Sequence, residues 1–137
     1  MTMGVEAVLE TLRHNLEAGS GLDVQVGRQH PSGDGLLVFP YRLSFPAELQ
    51  RMPAAGQGQQ HTQALRVDLL LLPAGADGIA HLDRGLKTLQ DQPVMTDGTV
   101  SFRVLPDDLD TETLTRIFRS ANIDLTLSAA YRVEWSA

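Results

Sequence analysis

The sequence predicts an α+β domain, a mostly antiparallel β-sheet with two to three helices packed on one face. Two segments carry apolar residues at three- and four-residue spacing, which indicates amphipathic helices. Acidic residues suited to N-capping predict a third helix. Five other runs have the length and the apolar pattern of β-strands. Their order, α-β-β-β-α-β-α-β, and the length of 137 residues predict a single domain over residues 1–137.

The first three predicted elements are one helix and two strands. Apolar positions over 5–16 recur on one helical face, and the glycines within 18–21 predict the end of this helix. Alternation over 22–26 predicts a short strand, and residues 36–45 predict a second one. Because Pro40 has no N–H to donate, we expect an edge position or a β-bulge at that residue.

The middle of the chain combines an irregular stretch with the most apolar strand. Residues 46–63 are rich in proline, glycine and glutamine, so we expect this loop to be poorly ordered or protruding. Residues 64–72 predict a central strand. Asp77 is the expected N-cap of a second helix that ends near residue 91, before Pro93. Its predicted buried face comprises Ile79, Leu82, Leu86 and Leu89.

A strand and a third helix follow. Residues 99–105 alternate between polar and apolar side chains, which is typical of a strand with one buried face. Asp108 or Asp110 is expected to cap the third helix, because an aspartate oxygen accepts from the free N–H groups of the first turn. The predicted core face of this helix comprises Leu114, Ile117 and Phe118.

The final segment shows the clearest alternation in the sequence. We expect its apolar face to pack against the helices; this face comprises Leu125, Leu127, Ala129, Tyr131, Val133 and Trp135. The polar face comprises Thr126, Ser128, Ala130, Arg132 and Glu134. Since a carboxylate without a partner is costly in a core, Leu127→Asp is expected to unfold the domain.

Composition and charge exclude several classes of protein. The formal net charge is −6 and the basic residues are not clustered, so we expect no nucleic-acid partner. The absence of cysteine excludes disulfides, thiolate metal sites and thiol nucleophiles. No apolar run approaches the roughly 20 residues of a membrane span, and the first residues do not have the pattern of a signal peptide, so we expect no membrane partner.

Side chains that could carry chemistry do not form a recognisable constellation. The four histidines lack the spacing of a helical metal pair. His81 lies near Asp77 and Asp83, but decoration of an exposed helix start is the simpler interpretation. The acidic motif at 108–112 opens like a calcium loop yet lacks the glycine and the glutamate that such a loop needs. We therefore expect no catalytic residue, no metal site and no cofactor, and a protein that is not an enzyme.

Several segments in sequence order resemble one known family. They are the helix at 5–16, the strand at 65–72, the helix at 82–89, the turn Gln92-Pro93-Val94-Met95, the strand at 102–104, the helix at 110–119 and the closing Ser128-x-x-Tyr131-x-Val133. This series is similar to the N-terminal domain family of the tail-cap, or tube-terminator, proteins of contractile injection systems. The motifs are structural rather than chemical, and they extend over most of the chain.

The resemblance implies a tail-terminator-like fold and a structural role. Such proteins are similar to phage tail terminators, which form a hexameric ring at the end of the inner tube distal from the baseplate, stop its growth and receive the last sheath layer. The implied partners are other copies of the chain and the tube and sheath proteins. The implied location is the cytoplasm during assembly and then a phage-tail-like particle.

Two alternatives stay open on the residues alone. The first is a small-molecule or peptide binding module that uses the 46–63 loop as a lid over the sheet. The second is an enzyme that uses His81 and nearby carboxylates.

For a ring, the predicted subunit or partner interface is the polar face of the final strand together with the 46–63 loop. The candidate interface residues are Thr126, Ser128, Arg132, Glu134, Arg51, Gln57 and Gln59. Arg132→Glu is expected to reduce oligomerisation and to leave the monomer folded, because it adds a like charge to an acidic surface outside the core.

Overall fold

The computed structural model of the chain describes residues 4–47, 63–98 and 100–136. Within these residues the elements are α1 (Val5–Ser20), β1 (Asp23–Val26), β2 (Gly35–Ser44), β3 (Ala64–Ala74), α2 (Gly78–Asp91), β4 (Val94–Asp97), β5 (Val100–Asp107), α3 (Thr111–Ser120) and β6 (Ala129–Ser136). The described strands form one sheet in the order β1-β2-β3-β6-β5-β4. All neighbouring pairs are antiparallel except β1 and β2. The predicted α+β class is therefore confirmed.

Local signals in the sequence fix several boundaries. Gly21 closes α1 in the left-handed conformation, with φ at 72°, which costs a glycine little. The strand pairing shifts between Pro40 and Arg42, so the bulge expected at this proline is present. The Thr113 backbone N–H donates to Asp110 Oδ1 at 2.7 Å, which identifies Asp110 as the cap of α3.

The main core lies between one face of the sheet, called the first face here, and the helices α1 and α2. Leu12 and Leu16 of α1 are almost fully buried, as is Val133 of β6. The helix α2 can approach the sheet closely at Gly85, where a Cβ atom would lie 2.8 Å from Leu36 Cδ1. The expectation of two to three helices on one face thus holds for α1 and α2.

The second face of the sheet carries a smaller core under α3. Phe118 of α3 and Ile123 pack with Leu37, Phe39 and Leu70 of the central strands. Leu114 and Ile117 also contact this cluster, so the predicted core face of α3 is confirmed. The apolar side chains of this cluster lie towards one end of the second face.

Three details of the second half of the chain differ from the prediction. The short strand β4 was not predicted; it forms a hairpin with β5 through a turn in which Gly98 has φ at 65°. Ile79, which was predicted to be buried, is 76% exposed. His81 is instead one of the buried residues of α2. Asp77 stands at the N-cap position of α2 but makes no side-chain capping bond.

The predicted start of the final strand is wrong. Leu125 is 63% exposed and Leu127 is 58% exposed, and β6 begins only at Ala129. The ladder between β3 and β6 ends at the pair Leu71–Ala129, and the ladder between β5 and β6 ends at Asp107–Ala130, so residues upstream of Ala129 pair with neither neighbouring strand. Alternation alone cannot indicate where the pairing with the neighbouring strands ends, and it therefore placed two exposed leucines in the core.

Candidate assembly surface

The half of the second face that is not packed under α3 carries charged side chains in two cross-strand rows. In the first row, Asp68 of β3 stands between Arg42 of β2 and Arg132 of β6. The second row lies two residues further along β3 and β6. In it, Glu134 of β6 stands between Arg66 of β3 and Arg103 of β5. We call this surface the arginine strip; it comprises Arg42, Arg66, Asp68, Arg103, Arg132 and Glu134.

Glu134 is the centre of the second row and is only 6% exposed. The Nε of Arg66 donates to Glu134 Oε2 at 2.8 Å, and its Nη2 lies 2.6 Å from the same oxygen. The Nη2 of Arg103 donates to Glu134 Oε1 at 3.0 Å. Because both carboxylate oxygens have charged donors, the buried charge is compensated within one copy of the chain.

Asp68 is the centre of the first row and is also 6% exposed. Burial raises the pKa of its carboxyl, and the like charge of Asp107 raises it further. Three arginines, Arg42, Arg66 and Arg132, act in the opposite direction without cancelling the effect of burial. The cost of ionising Asp68 in the folded protein therefore exceeds the cost in water.

The same negative charges affect Tyr41, which packs beside the smaller core. Burial, followed by the charges of Asp68 and Asp107, raises the pKa of the Tyr41 hydroxyl to about 12. A tyrosine with an ordinary pKa is already neutral at physiological pH, and the raised pKa of Tyr41 extends the range in which its phenol can donate a hydrogen bond.

Asp68→Asn is expected to change how stability depends on pH. A carboxyl whose pKa is higher in the folded state favours folding most below its ordinary value of 3.8. This contribution is lost as the pH rises through the raised folded-state value. The stability of the wild type relative to Asp68→Asn, as measured by urea unfolding, should therefore fall as the pH rises from below 3.8 through the raised pKa of Asp68. If the free energies of unfolding of the wild type and Asp68→Asn differed by the same amount at every pH, burial would not raise the pKa of Asp68.

Arg132 is a partly buried member of the strip. Its Nε is buried and has no hydrogen-bond partner among the described residues. It also lies directly opposite the buried Asp68. A glutamate at this position would face that carboxylate, so we now expect Arg132→Glu to destabilise the monomer as well, unlike the expectation drawn from the sequence.

The structure brings some of the predicted interface residues together and separates others. Arg132 and Glu134 share the arginine strip. Thr126 is exposed and Ser128 is half-buried; both lie in the segment before β6 rather than on a strand face. The predicted residues Arg51, Gln57 and Gln59 lie outside the described residues, as does most of the 46–63 loop, so these expectations stay predictions.

The prediction missed the four strip residues Arg42, Arg66, Asp68 and Arg103. A signal for two of them exists in the sequence, because Arg66 and Asp68 are spaced by two within the otherwise apolar 64–72 strand. Arg132 and Glu134 show the same spacing in the final strand. Charges at alternate positions of two central strands indicate a shared polar zone on one sheet face.

His81 of α2 contacts a carboxylate in the turn before β2. Its Nε2 lies 2.7 Å from Asp34 Oδ1, and its buried Nδ1 has no hydrogen-bond partner among the described residues. The contact connects α2 to the turn before β2. The described part of the chain contains no cluster of three or more residues able to hold a metal ion.

A shallow groove of about 470 Å³ runs between α2 and the strands β5 and β6. Its lining residues are Leu86, Leu89, Gln90, Pro93, Val104, Pro106 and Tyr131. Most of these side chains are apolar, and Gln90 and Tyr131 supply polar groups.

Among the helices that the structure describes, none has the length and the apolar character needed to cross a membrane.

Comparisons with known proteins identify the fold. No protein-family model matches the sequence, and no curated protein is a significant relative. The cryo-EM structure of the sheath/tube terminator of PVC, an extracellular contractile injection system, in the extended state matches 100% of this chain with a TM-score of 0.72 and 15% identity. The tube-terminating cap of the anti-feeding prophage matches 98% of it with a TM-score of 0.68 and 16% identity.

The match covers all of this chain but only part of each neighbour. It spans 57% of the PVC terminator and 55% of the anti-feeding prophage cap. The chain thus corresponds to little more than half the length of either protein. The resemblance seen in the sequence is confirmed at the level of the fold: the chain has the fold of a domain found in tube-terminating cap proteins of contractile injection systems.

Proposed function

We propose that this protein is a structural part that caps the inner tube of a contractile, phage-tail-like injection system and receives the last sheath layer. The observation that carries the proposal is the fold similarity to a sheath/tube terminator, which extends over the whole chain with a TM-score of 0.72. The fold similarity to a second terminating cap also supports it.

The proposed working form is a ring, with six copies as the first expectation. Its partners are neighbouring copies of the chain and the tube and sheath proteins of the particle. The protein assembles in the cytoplasm and then forms part of the particle. Since the chain carries a net charge of −6, we expect it to contact proteins and not nucleic acid.

Light scattering coupled to size-exclusion chromatography tests the ring. We expect the mass of a closed oligomer, either for the protein alone or after addition of the tube protein of the same particle. A mass that stays monomeric at all concentrations, with and without tube protein, would contradict the proposal. A genomic neighbourhood without sheath, tube and baseplate genes would also argue against it.

A further inference from the structure

We propose that the arginine strip of one copy packs against the acidic outer surface of α1 and α2 of the next copy. This inference rests on the proposed function and deepens it, because it names the two surfaces that join neighbouring subunits of the ring.

The two surfaces lie on opposite sides of the sheet. The helices α1 and α2 cover the first face, whereas the arginine strip belongs to the second face. A contact between them therefore joins two different patches, and each copy can use one patch towards each neighbour. Such head-to-tail contacts generate closed rings when the rotation between copies closes.

The charges of the two surfaces are complementary. The strip holds four arginines against two carboxylates, and Asp107 of β5, opposite Ala130, adds one negative charge beside it. At the surface of the helix layer, six acidic residues stand against three basic ones; the acidic residues are Glu6, Glu10, Glu17, Asp77, Asp83 and Asp91, and the basic residues are Arg13, Arg84 and Lys87. In a chain with a net charge of −6, the strip is thus a local exception.

A partner would meet the cationic part of the strip first. Asp68 and Glu134 are each 6% exposed, whereas the Arg103 side chain is 55% exposed and Arg42 is also exposed. The carboxylates therefore lie beneath the guanidinium groups, and the accessible surface is more positive than the residue count suggests. Exposed arginines with planar donors are suited to carboxylates on another protein.

The acidic start of α3 is a less suitable occupant. Asp108, Asp110 and Glu112 are exposed, but α3 packs on the second face, on the same side of the sheet as the strip. Because both patches lie on the same side of the sheet, two copies placed face to face can make the contact twice, each strip against the other copy's α3 start. Such an isologous contact closes a pair and does not propagate around a ring.

Engineered cysteines provide the test, because the chain has none of its own. Arg42→Cys marks the strip, Glu10→Cys and Asp83→Cys mark the helix layer, and Glu112→Cys is the matched control on α3. All four positions are exposed, so the variants should fold, which circular dichroism can verify. Pairs of variants are mixed, oxidised mildly and examined for disulfide-linked dimers.

We expect Arg42→Cys to be linked to at least one helix-layer variant, and to form little dimer alone or with Glu112→Cys. The yield should be lost near 1 M salt, where the screening length is about 3 Å. Linkage of Arg42→Cys to itself or to Glu112→Cys would overturn the interface. Absence of any linkage, under conditions in which light scattering shows an oligomer, would overturn it and leave the capping proposal intact. A chain that stays monomeric even with tube protein would overturn both.

Discussion

Val133→Asp is expected to unfold the protein. Val133 is fully buried in β6, where it faces the main core under α1 and α2. A carboxylate at this position would lose its hydration without gaining a donor, and the core would also lose an apolar side chain. The combined cost should exceed about 4 kcal/mol, which is close to the whole stability of a domain at the lower end of the usual range of about 5–15 kcal/mol. Circular dichroism and urea unfolding measure this loss directly.

Leu127→Asp is the matched control for this experiment. It introduces the same charge six residues upstream, at a side chain that is 58% exposed. Contrary to the expectation drawn from the sequence, we expect its urea midpoint to stay close to that of the wild type, since the new carboxylate remains in water. If Leu127→Asp unfolded the chain while Val133→Asp did not, the boundary of β6 at Ala129 would be wrong.

Glu134→Ala is expected to destabilise the fold by about 3 kcal/mol, because it removes a buried carboxylate that accepts from two arginines. Arg66 is the more affected of the two, since its side chain is 19% exposed and donates to Glu134 through two nitrogens. Without the carboxylate, this guanidinium stays in a largely buried place next to Asp68 on the same strand. The loss should appear as a lower urea midpoint with an unchanged slope.

Arg103→Ala provides the comparison, because it disrupts the same row from its exposed end. The Arg103 side chain is 55% exposed, and its single bond to Glu134 is largely screened by water. We expect a loss below about 1 kcal/mol. If Glu134→Ala and Arg103→Ala lost the same free energy of unfolding, the burial of Glu134 would not determine how much this row of charges contributes to stability.

The parts of the fold that depend on local chemistry could be predicted from the sequence. The cap at Asp110 and the bulge after Pro40 each follow from what one residue can or cannot hydrogen bond. The central place of β3 follows from its continuous apolar character, which requires cover on both faces.

The remaining features depend on which strands become neighbours, and one sequence does not reveal this. The exposure of Leu125 and Leu127 follows from where the β3–β6 ladder ends. The arginine strip exists because Arg42, Asp68 and Arg132 from three strands come into register. Spacing in the sequence can indicate that Arg66 and Asp68 share a face, but not which side chains stand opposite them.

Electron microscopy of inner tubes assembled with and without this protein tests the central proposal most directly. If the protein terminates the tube, a ring of extra density should appear at one end only, and the mean tube length should fall as the ratio of this protein to tube protein rises. Tubes with bare ends, and a length distribution that does not change at any ratio, would contradict the capping function.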